Sequence, residues 1–304
     1  MGTPRHTSSL AKGRRHHGVH DLGQVRPALV CRSPLRRLRL RPAGHGWPLS
    51  GRAWQDNIPA LVEAGYRAIA YDRRGFGDSE KPSKGYDYDQ LADDLEALMN
   101  ELELTDVTLV GFSMGGGEVA RYIAKHSEER LRSVVFALAV PPYLMKTDDN
   151  PDGPLDESAA EEMASSLEND RDGFFDTFTR DFFSADGELK VTEQQRQDAI
   201  ALCQQSDQNA ALSCMESFGG TDFRDDLTKV TVPTLVIHGD SDATVPFEGS
   251  GKRTHGDRRQ RARRPGRRPP RDQRQPSRRV QPSADRVPRS LTGTGAATPG
   301  GRRS

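Results

Sequence analysis

The middle of the chain alternates between two patterns of apolar residues, and the alternation predicts strands and helices in turn. Short continuous apolar runs are typical of buried strands, whereas apolar residues three or four positions apart indicate helices. The strands are expected at 66–71, 106–112, 131–140 and 234–238, and the helices at 53–64, 88–102 and 117–126. This order predicts an α/β fold in which helices cover both faces of a mostly parallel sheet.

The stretch from 141 to 225 differs, because it is helical, acidic and richer in aromatic residues. We interpret it as a helical cap over the carboxyl edge of the sheet. The core of the fold is then expected at 45–140 and 226–250. Five phenylalanines mark the cap, and most of them are expected to pack between the cap and the body: Phe174, Phe175, Phe178, Phe182 and Phe183.

The two ends of the chain carry a different composition from the middle. The formal net charge is zero, yet residues 1–44 hold ten basic residues and one acidic residue, and residues 251–304 hold seventeen and three. The middle therefore has a formal charge near −23. Low hydrophobicity with high charge predicts disordered basic segments at 1–44 and 251–304. No aromatic residue interleaves the terminal arginines, so a nucleic-acid partner is not expected.

Cysteine use and hydropathy exclude several other classes of protein. Cys31, Cys203 and Cys214 are too few and too irregularly spaced for a disulfide framework or a zinc site, so we expect reduced thiols and no metal. The chain has no run of 18 apolar residues and its first residues lack a continuous apolar segment. No membrane partner and a cytoplasmic location are therefore expected.

The pentapeptide at 111–115 (GFSMG) is the strongest chemical signal in the sequence. A G-x-S-x-G pattern occurs by chance in roughly one chain of this length in ten, but here it joins a predicted strand to a predicted helix. That turn exposes the serine hydroxyl and needs small neighbours, which Gly115, Gly116 and Gly117 provide. The helix N-terminus favours the negative charge that develops in acyl transfer. Ser113 is therefore the predicted nucleophile.

The second part of such a site is a pair of amide donors for the developing oxyanion. One donor is the residue after the nucleophile, here Met114, and the other lies in the loop after an earlier strand. That loop is 45–49 (HGWPL), which makes the backbone N–H of Trp47 the second donor. His45 is interpreted as a buried structural hydrogen-bonding residue and not as the catalytic base.

Four motifs in a fixed order carry a family resemblance. They lie at 45–50 (HGWPLS), 71–79 (YDRRGFGDS), 111–117 (GFSMGGG) and 238–242 (HGDSD), the last followed by Val245 and Pro246. Together they resemble the cofactor-free (non-haem) chloroperoxidases, the bacterial perhydrolase and arylesterase group of the α/β-hydrolases. The similarity spans about two thirds of the chain.

The resemblance implies a function as well as a fold. It implies an eight-stranded, mostly parallel sheet with a helical cap, no haem or metal cofactor, and a Ser–Asp–His triad that hydrolyses small esters. With hydrogen peroxide and a short carboxylic acid, members of the group form a peracid that oxidises halide. The implied partners are thus a small ester or carboxylic acid and hydrogen peroxide. A homo-oligomer is left open.

The resemblance also places residues. It puts the nucleophile at Ser113, the oxyanion donors at Trp47 and Met114, and the triad acid at Asp242, four residues after His238. Asp240 is the rival acid, although that position of the pattern usually shapes the local turn. Asp72 and Arg74 lie in a loop with a structural role, and we assign them no chemistry.

The triad histidine does not appear where the family places it. The order in this fold is Ser, Asp, His, with the histidine roughly thirty residues after the acid. The interval 266–277 (GRRPPRDQRQPS) contains no histidine, and His255 follows Asp242 by only thirteen residues, which is too early. The alternative function is therefore a catalytically dead remnant that lacks the triad base.

A shift of reading frame explains both unusual ends. With suitable codons, 266–277 read one base later becomes EGAPHGINVSH, which restores a histidine, and 38–43 becomes SGSGPP. We hypothesise that both ends are frameshifted and that the sheet is incomplete at both ends. It would then lack the strands before His45 and the last strand and helix, and would expose its edges.

Two further functions are alternatives to a serine hydrolase. An epoxide hydrolase or a dehalogenase shares the fold but needs an aspartate at the elbow, and Ser113 argues against both. A basic-tailed nucleic-acid binder would depend on residues 251–304 and would bind DNA in a salt-sensitive way. The serine hydrolase with esterase or perhydrolase activity is the function that the sequence favours.

Overall fold

A six-stranded sheet forms the centre of the computed structural model, which describes residues 26–30, 39–185, 187–240, 242 and 244–254, with the backbone alone for 26–30 and 39–43. Its strands are β1 Arg26–Val30, β2 Arg39–Gly44, β3 Tyr66–Asp72, β4 Val107–Phe112, β5 Leu131–Ala137 and β8 Thr234–Ile237. They lie in the sheet in the order β1-β3-β2-β4-β5-β8. Strand β1 is antiparallel to β3, and the other neighbours are parallel. A two-stranded hairpin, β6 Ser184–Ala185 with β7 Glu188–Leu189, is separate from it.

Helices cover both faces of the sheet, as the alternating pattern predicts. Along β3, Ala68 and Ala70 pack in a cluster with Ile58, while Ile69 and Tyr71 face the larger core on the other side. Side chains of successive strand residues point to opposite faces, so one short strand serves two layers. The helices of the body are α1 Ile58–Glu63, α2 Tyr88–Glu101, α3 Met114–His126 and α8 Arg224–Leu227, with a 3₁₀ turn at Gly51–Trp54.

The segment predicted as a cap forms four helices. Each begins at a residue whose side chain accepts a hydrogen bond from the first turn, the usual chemistry of a helix start: Asp156, Asp170, Thr192 and Asp207. The cap helices are α4 Glu157–Asn169, α5 Arg171–Phe182, α6 Glu193–Gln204 and α7 Gln208–Gly220. The two cysteines in them, Cys203 and Cys214, are buried free thiols, and burial raises the pKa of each to about 12.

The start of the chain corrects one expectation. We expected residues 1–44 to be disordered and the strands before His45 to be lost, but β1 and β2 form within this range. Residues 1–25 and 31–38 lie outside the described residues. Strand β2 lies between β3 and β4 and pairs with both. The physical reason is that a parallel ladder is made by main-chain groups, which would be left unpaired on both neighbours without this strand. The periodicity of side chains gave no sign of it.

The far end of the body also extends further than expected. Order was predicted to stop at residue 250, but one helical turn continues through 251–254. The hydroxyl of Thr254 donates to the Pro141 carbonyl at 2.7 Å, and Arg253 donates to the Asn150 side chain at 2.8 Å. These contacts attach the turn to the loop after β5. The rest of the predicted basic segment, 255–304, lies outside the described residues.

The last described strand has one partner strand only. Among the residues that the structure describes, β8 pairs with β5 and its other edge pairs with no strand. Two large apolar side chains on this strand are exposed, Leu235 at 53% and Ile237 at 44%. The residues that follow in the chain, 255–304, lie outside the described residues, so the expected loss of the last strand and helix stays a prediction.

Within the described residues, no helix has the length and hydropathy that crossing a membrane requires.

Candidate active site

Ser113 occupies the turn between β4 and α3 in a backbone conformation that few residues adopt. Its φ of 52° and ψ of −120° lie outside the regions that L-residues prefer. Two hydrogen bonds hold the turn against the end of β5, because the Ser113 amide donates to Ala137 and the Val140 amide donates to Ser113. The hydroxyl caps no helix amide. Strain of this kind at a serine is typical of the nucleophile turn of a hydrolase.

The strand and helix beside Ser113 approach so closely that only glycine fits. A methyl group on Gly111 would lie 2.4 Å from the Gly115 carbonyl oxygen and 2.6 Å from the Gly116 Cα. A methyl group on Gly46 would lie 3.2 Å from the Ser113 Cβ. The predicted oxyanion loop therefore passes directly over the nucleophile.

The two predicted oxyanion donors lie on this loop and on the first residue of α3. No acceptor among the described residues receives a hydrogen bond from the backbone N–H of Trp47 or of Met114. For Met114 the reason is its position, since the first amides of a helix have no partner within the helix. Two unpaired amides that flank a serine can stabilise an oxyanion formed on a substrate.

The side chain of Trp47 fastens the oxyanion loop to the cap. Its indole N–H donates to the Ala211 carbonyl in α7 at 2.9 Å. Its ring makes edge contacts with Phe178 at 5.3 Å and with Phe218 at 5.7 Å between centroids. The cap thus orients the loop that carries the predicted donor.

His45 is buried and forms structural hydrogen bonds next to the oxyanion loop, as interpreted from its position in the motif. The Arg73 amide donates to its Nε2 at 3.0 Å, so that Nε2 must carry a lone pair and the proton sits on Nδ1, 2.9 Å from the Gly46 carbonyl. Burial, with the nearby charge of Arg73, holds the pKa of His45 well below its usual range. A neutral imidazole with both nitrogens engaged does not serve as a base for Ser113.

An ion pair between Arg73 and Glu118 lies beneath the same loop, and sequence reasoning did not single it out. Both side chains are 1% exposed, and two guanidinium nitrogens donate to Glu118 Oε2 at 2.7 and 3.0 Å. Arg73 also donates to the His45 carbonyl, and Tyr71 donates to the other oxygen of Glu118. Glu118 lies one helical turn after Met114, on the inward face of α3, and an acid on a buried face requires a cation. That spacing is the signal that could have found the pair.

Asp242 lies in the loop after β8, with its side chain 10% exposed. Its Oδ1 accepts hydrogen bonds from the amides of Thr244 and Val245, and its Oδ2 lies 3.5 Å from His238 Nε2. The same Nε2 donates to the Val245 carbonyl at 2.6 Å. The rival acid, Asp240, is exposed. The loop is therefore organised around Asp242.

The neighbouring acidic and basic residues to which we assigned no chemistry have structural contacts. Asp72 accepts from the amides of Gly51 and Asp78, and Arg74 pairs with Asp94 at 2.5 Å. Burial raises the pKa of Asp72. Neither side chain is among those that line the cavity beside Ser113.

No described histidine contacts Ser113. His45 is committed to Arg73 and Gly46, His126 bonds to Asp93 at the end of α3, and His238 bonds to Val245. The hydroxyl of Ser113 has no hydrogen-bond partner within the described residues. His255 and the interval 266–277 lie outside those residues.

A cavity of about 140 Å³ opens beside Ser113. The body, the acid loop and the cap all contribute to its wall, which brings residues together from distant parts of the chain. The lining consists of Trp47, Ser113, Val140, Leu144, Pro154, Leu155, Met163, Phe178, Phe182, Phe218, Thr244, Val245 and Pro246. Of the five cap phenylalanines, two thus line the cavity, while Phe174 and Phe175 are buried in the core.

Comparison with known proteins agrees with this geometry. Residues 45–255 match the model of the alpha/beta hydrolase fold family. A non-haem chloroperoxidase from Kitasatospora aureofaciens is 46% identical over 77% of this chain and 80% of its own length. A bifunctional esterase/perhydrolase from Acinetobacter calcoaceticus is 36% identical over 69% of this chain and 76% of its own. The crystal structure of a bromoperoxidase from Bacillus anthracis superposes with a TM-score of 0.71 at 53% identity, over 73% of this chain and 80% of that one.

The fold and these matches define the class: the chain belongs to the α/β-hydrolase family. Within that family its relatives are non-haem chloroperoxidases and an esterase/perhydrolase, so the resemblance seen in the four motifs is confirmed. The family is one of enzymes, and the fold predicted from the sequence is confirmed with it.

Proposed function

We propose that this protein is a serine hydrolase of small carboxylic esters, with perhydrolase activity in the same site. The observation that supports the proposal is the strained turn at Ser113. Its hydroxyl has no hydrogen-bond partner among the described residues, and the backbone amides of Trp47 and Met114 are unpaired there as well. The names of the relatives support the same chemistry, since they include chloroperoxidases and an esterase/perhydrolase.

The proposed reaction passes through an acyl-enzyme. The Ser113 oxygen attacks the ester carbon, the hydroxyl proton passes to a base, and the negative charge on the former carbonyl oxygen is held by the two amides. The bond to the alcohol then breaks, and the alcohol leaves with that proton. Asp242 is proposed to orient and stabilise the base as the triad acid.

The second half of the reaction decides between the two activities. Water attacks the acyl group to give a carboxylic acid and free Ser113, which is ester hydrolysis. Hydrogen peroxide in its place gives a peracid, which oxidises halide in solution. We propose that the partners are therefore a small ester or carboxylic acid and hydrogen peroxide, and that no cofactor takes part. The cytoplasmic location and the division of the chain into core, cap and basic ends stay predictions.

The alternative function, a catalytically dead remnant, stays a prediction. The three described histidines bond elsewhere than to Ser113, while His255 and the interval 266–277 lie outside the described residues. Loss of one triad member lowers the rate by about 10⁴-fold to 10⁶-fold, leaving the oxyanion donors and binding. For that alternative, the expected outcome is negligible turnover of 4-nitrophenyl acetate by the purified chain.

Two measurements test the nucleophile and the base separately. An arylboronic acid forms a tetrahedral adduct with a serine held near oxyanion donors, which ¹¹B NMR detects without turnover. The adduct is expected with the wild-type chain and not with Ser113→Ala, and its absence in both would contradict the proposed nucleophile. Turnover of 4-nitrophenyl acetate is expected to rise when free imidazole is added, and only when Ser113 is present. Turnover without imidazole that Ser113→Ala abolishes would instead identify a base within the chain and exclude the dead remnant.

A further inference from the structure

The wall of the cavity beside Ser113 selects against charge. Apart from the hydroxyls of Ser113 and Thr244, its lining side chains are apolar or aromatic. Among the described residues, none of those that line the cavity carries a formal charge. A carboxylate or an ammonium group placed against this wall, away from the amides of Trp47 and Met114, would lose its hydration without gaining a charged partner, which is strongly unfavourable. The group that enters must be neutral.

The size of the cavity sets a second limit. Its volume is about 140 Å³, and an apolar cavity of roughly 150 Å³ is known to bind benzene. A group of about six or seven heavy atoms therefore fills it. A long acyl chain would extend beyond it.

The shape of the wall favours a flat group over a linear one. The rings of Phe178 and Phe182 stack 5.8 Å apart at 29°, and Trp47 stands nearly perpendicular to Phe178, at 80°. The wall thus offers both ring faces and ring edges. An aromatic ring gains from offset-stacked and edge contacts of this kind, beyond the burial of its area.

We propose that this cavity binds a single aromatic ring and that the preferred acyl group is neutral and benzoyl-sized. The inference rests on the proposed function only in that Ser113, at the wall of the cavity, would attack the carbonyl attached to the ring. Binding of the ring itself does not require turnover. Phe178 is the residue that sets the preference, because its ring lies in the wall and also packs on Trp47.

The test uses the two tryptophans of the chain. Trp47 lines the cavity, whereas Trp54 packs on Phe112 and does not line it. In a Trp54→Phe background, fluorescence therefore reports on the cavity alone. The probes are benzamide, hexanamide and succinamic acid, which the enzyme does not cleave. Benzamide is expected to bind at least tenfold more tightly than hexanamide, and succinamic acid is expected not to bind.

Two variants connect the preference to the wall. Phe178→Ala removes one ring face and is expected to weaken benzamide binding at least fivefold while improving hexanamide binding. Phe183→Ala is the matched control. Phe183 directly follows the last residue of the same helix and contacts Phe182, but it does not line the cavity. It is expected to leave both affinities unchanged.

The outcomes separate this inference from the proposed function. Equal or tighter binding of hexanamide, binding of succinamic acid, or no fluorescence change with benzamide in a folded protein overturns the inference, whatever the ester assay shows. Benzamide binding with no boronic acid adduct at Ser113 supports the ring site and contradicts the hydrolase.

Discussion

The buried pair of Arg73 and Glu118 shows how single residues position the site. A charge in the interior is tolerated when it is paired and fully hydrogen-bonded, and Arg73 meets that condition through Glu118 and the His45 carbonyl. Breaking such a pair by removing one partner costs about 3–5 kcal/mol, although the intact pair adds little net stability. Its main effect here is to fix the position of the loop that carries Trp47 relative to Ser113.

The single residue His45 leads to a prediction about how the free energy of unfolding depends on pH. Its pKa is depressed in the folded protein by burial, while in the unfolded chain it is near 6.5. Below about pH 6.5 the unfolded chain therefore binds a proton that the folded protein does not, and the free energy of unfolding falls as pH decreases. The contribution of neutral, buried His45 to the free energy of unfolding is fully present above the pKa that this residue has in the unfolded chain.

Urea unfolding between about pH 5 and pH 8 measures this effect. The wild type is expected to lose up to about 1.4 kcal/mol per pH unit from this group below pH 6.5. In His45→Asn the loss is expected to be smaller by that amount. Parallel curves for the two proteins would show that His45 titrates as it does in the unfolded chain.

At the scale of elements, β4 and α3 approach too closely for a side chain to fit between them. The strand ends at Phe112 and the helix starts at Met114, so the chain reverses within one residue. Gly111 faces backbone atoms of the first helical turn, and backbone atoms cannot move aside as a flexible side chain could. The position of the nucleophile depends on this approach of two backbones.

Substitution of two glycines tests this contact. Gly111→Ala places a methyl group 2.4 Å from the Gly115 carbonyl oxygen, and we expect a loss of about 3 kcal/mol, the upper part of the range for overpacking. Gly220→Ala is the matched control, because nothing lies within 4 Å of the added group at the end of α7. It is expected to be neutral or stabilising by about 0.4–1 kcal/mol. Similar midpoints of urea denaturation for the two variants would contradict the close approach.

At the scale of the whole molecule, the described part of the sheet ends at β8. Among the described residues, β8 has one paired side, and two of its four side chains are large, apolar and exposed. Edges of this kind pair with other chains unless charge or proline blocks them. We expect the protein to self-associate through this strand as its concentration rises.

A double substitution tests the edge. Leu235→Lys with Ile237→Lys adds charge to exposed positions, so it is expected to reduce self-association in sedimentation velocity with a change in unfolding free energy within about 0.5 kcal/mol. Val236→Lys is the contrasting variant, since Val236 packs against the core and its charge is expected to destabilise the fold. Unchanged sedimentation of the double variant would exclude β8 as the surface of association.

Features that depend on neighbours along the chain could be predicted from the residues alone. The strand, turn and helix around Ser113 follow from apolar periodicity and from glycines within six positions, and the acid loop follows from the spacing of His238 and Asp242. Strand β2 was not predicted, because its pairing depends on main-chain groups of β3 and β4, which the pattern of side chains does not reveal.

Features that depend on residues far apart in the chain became visible only in the folded protein. The partner of the Trp47 indole is 164 positions away, and the partner of Arg73 is 45 positions away. The cavity wall likewise combines the body, the acid loop and three cap helices. Such contacts arise when the body helices and the cap pack onto the sheet, and the burial that favours them is a property of the packed molecule and not of any one segment.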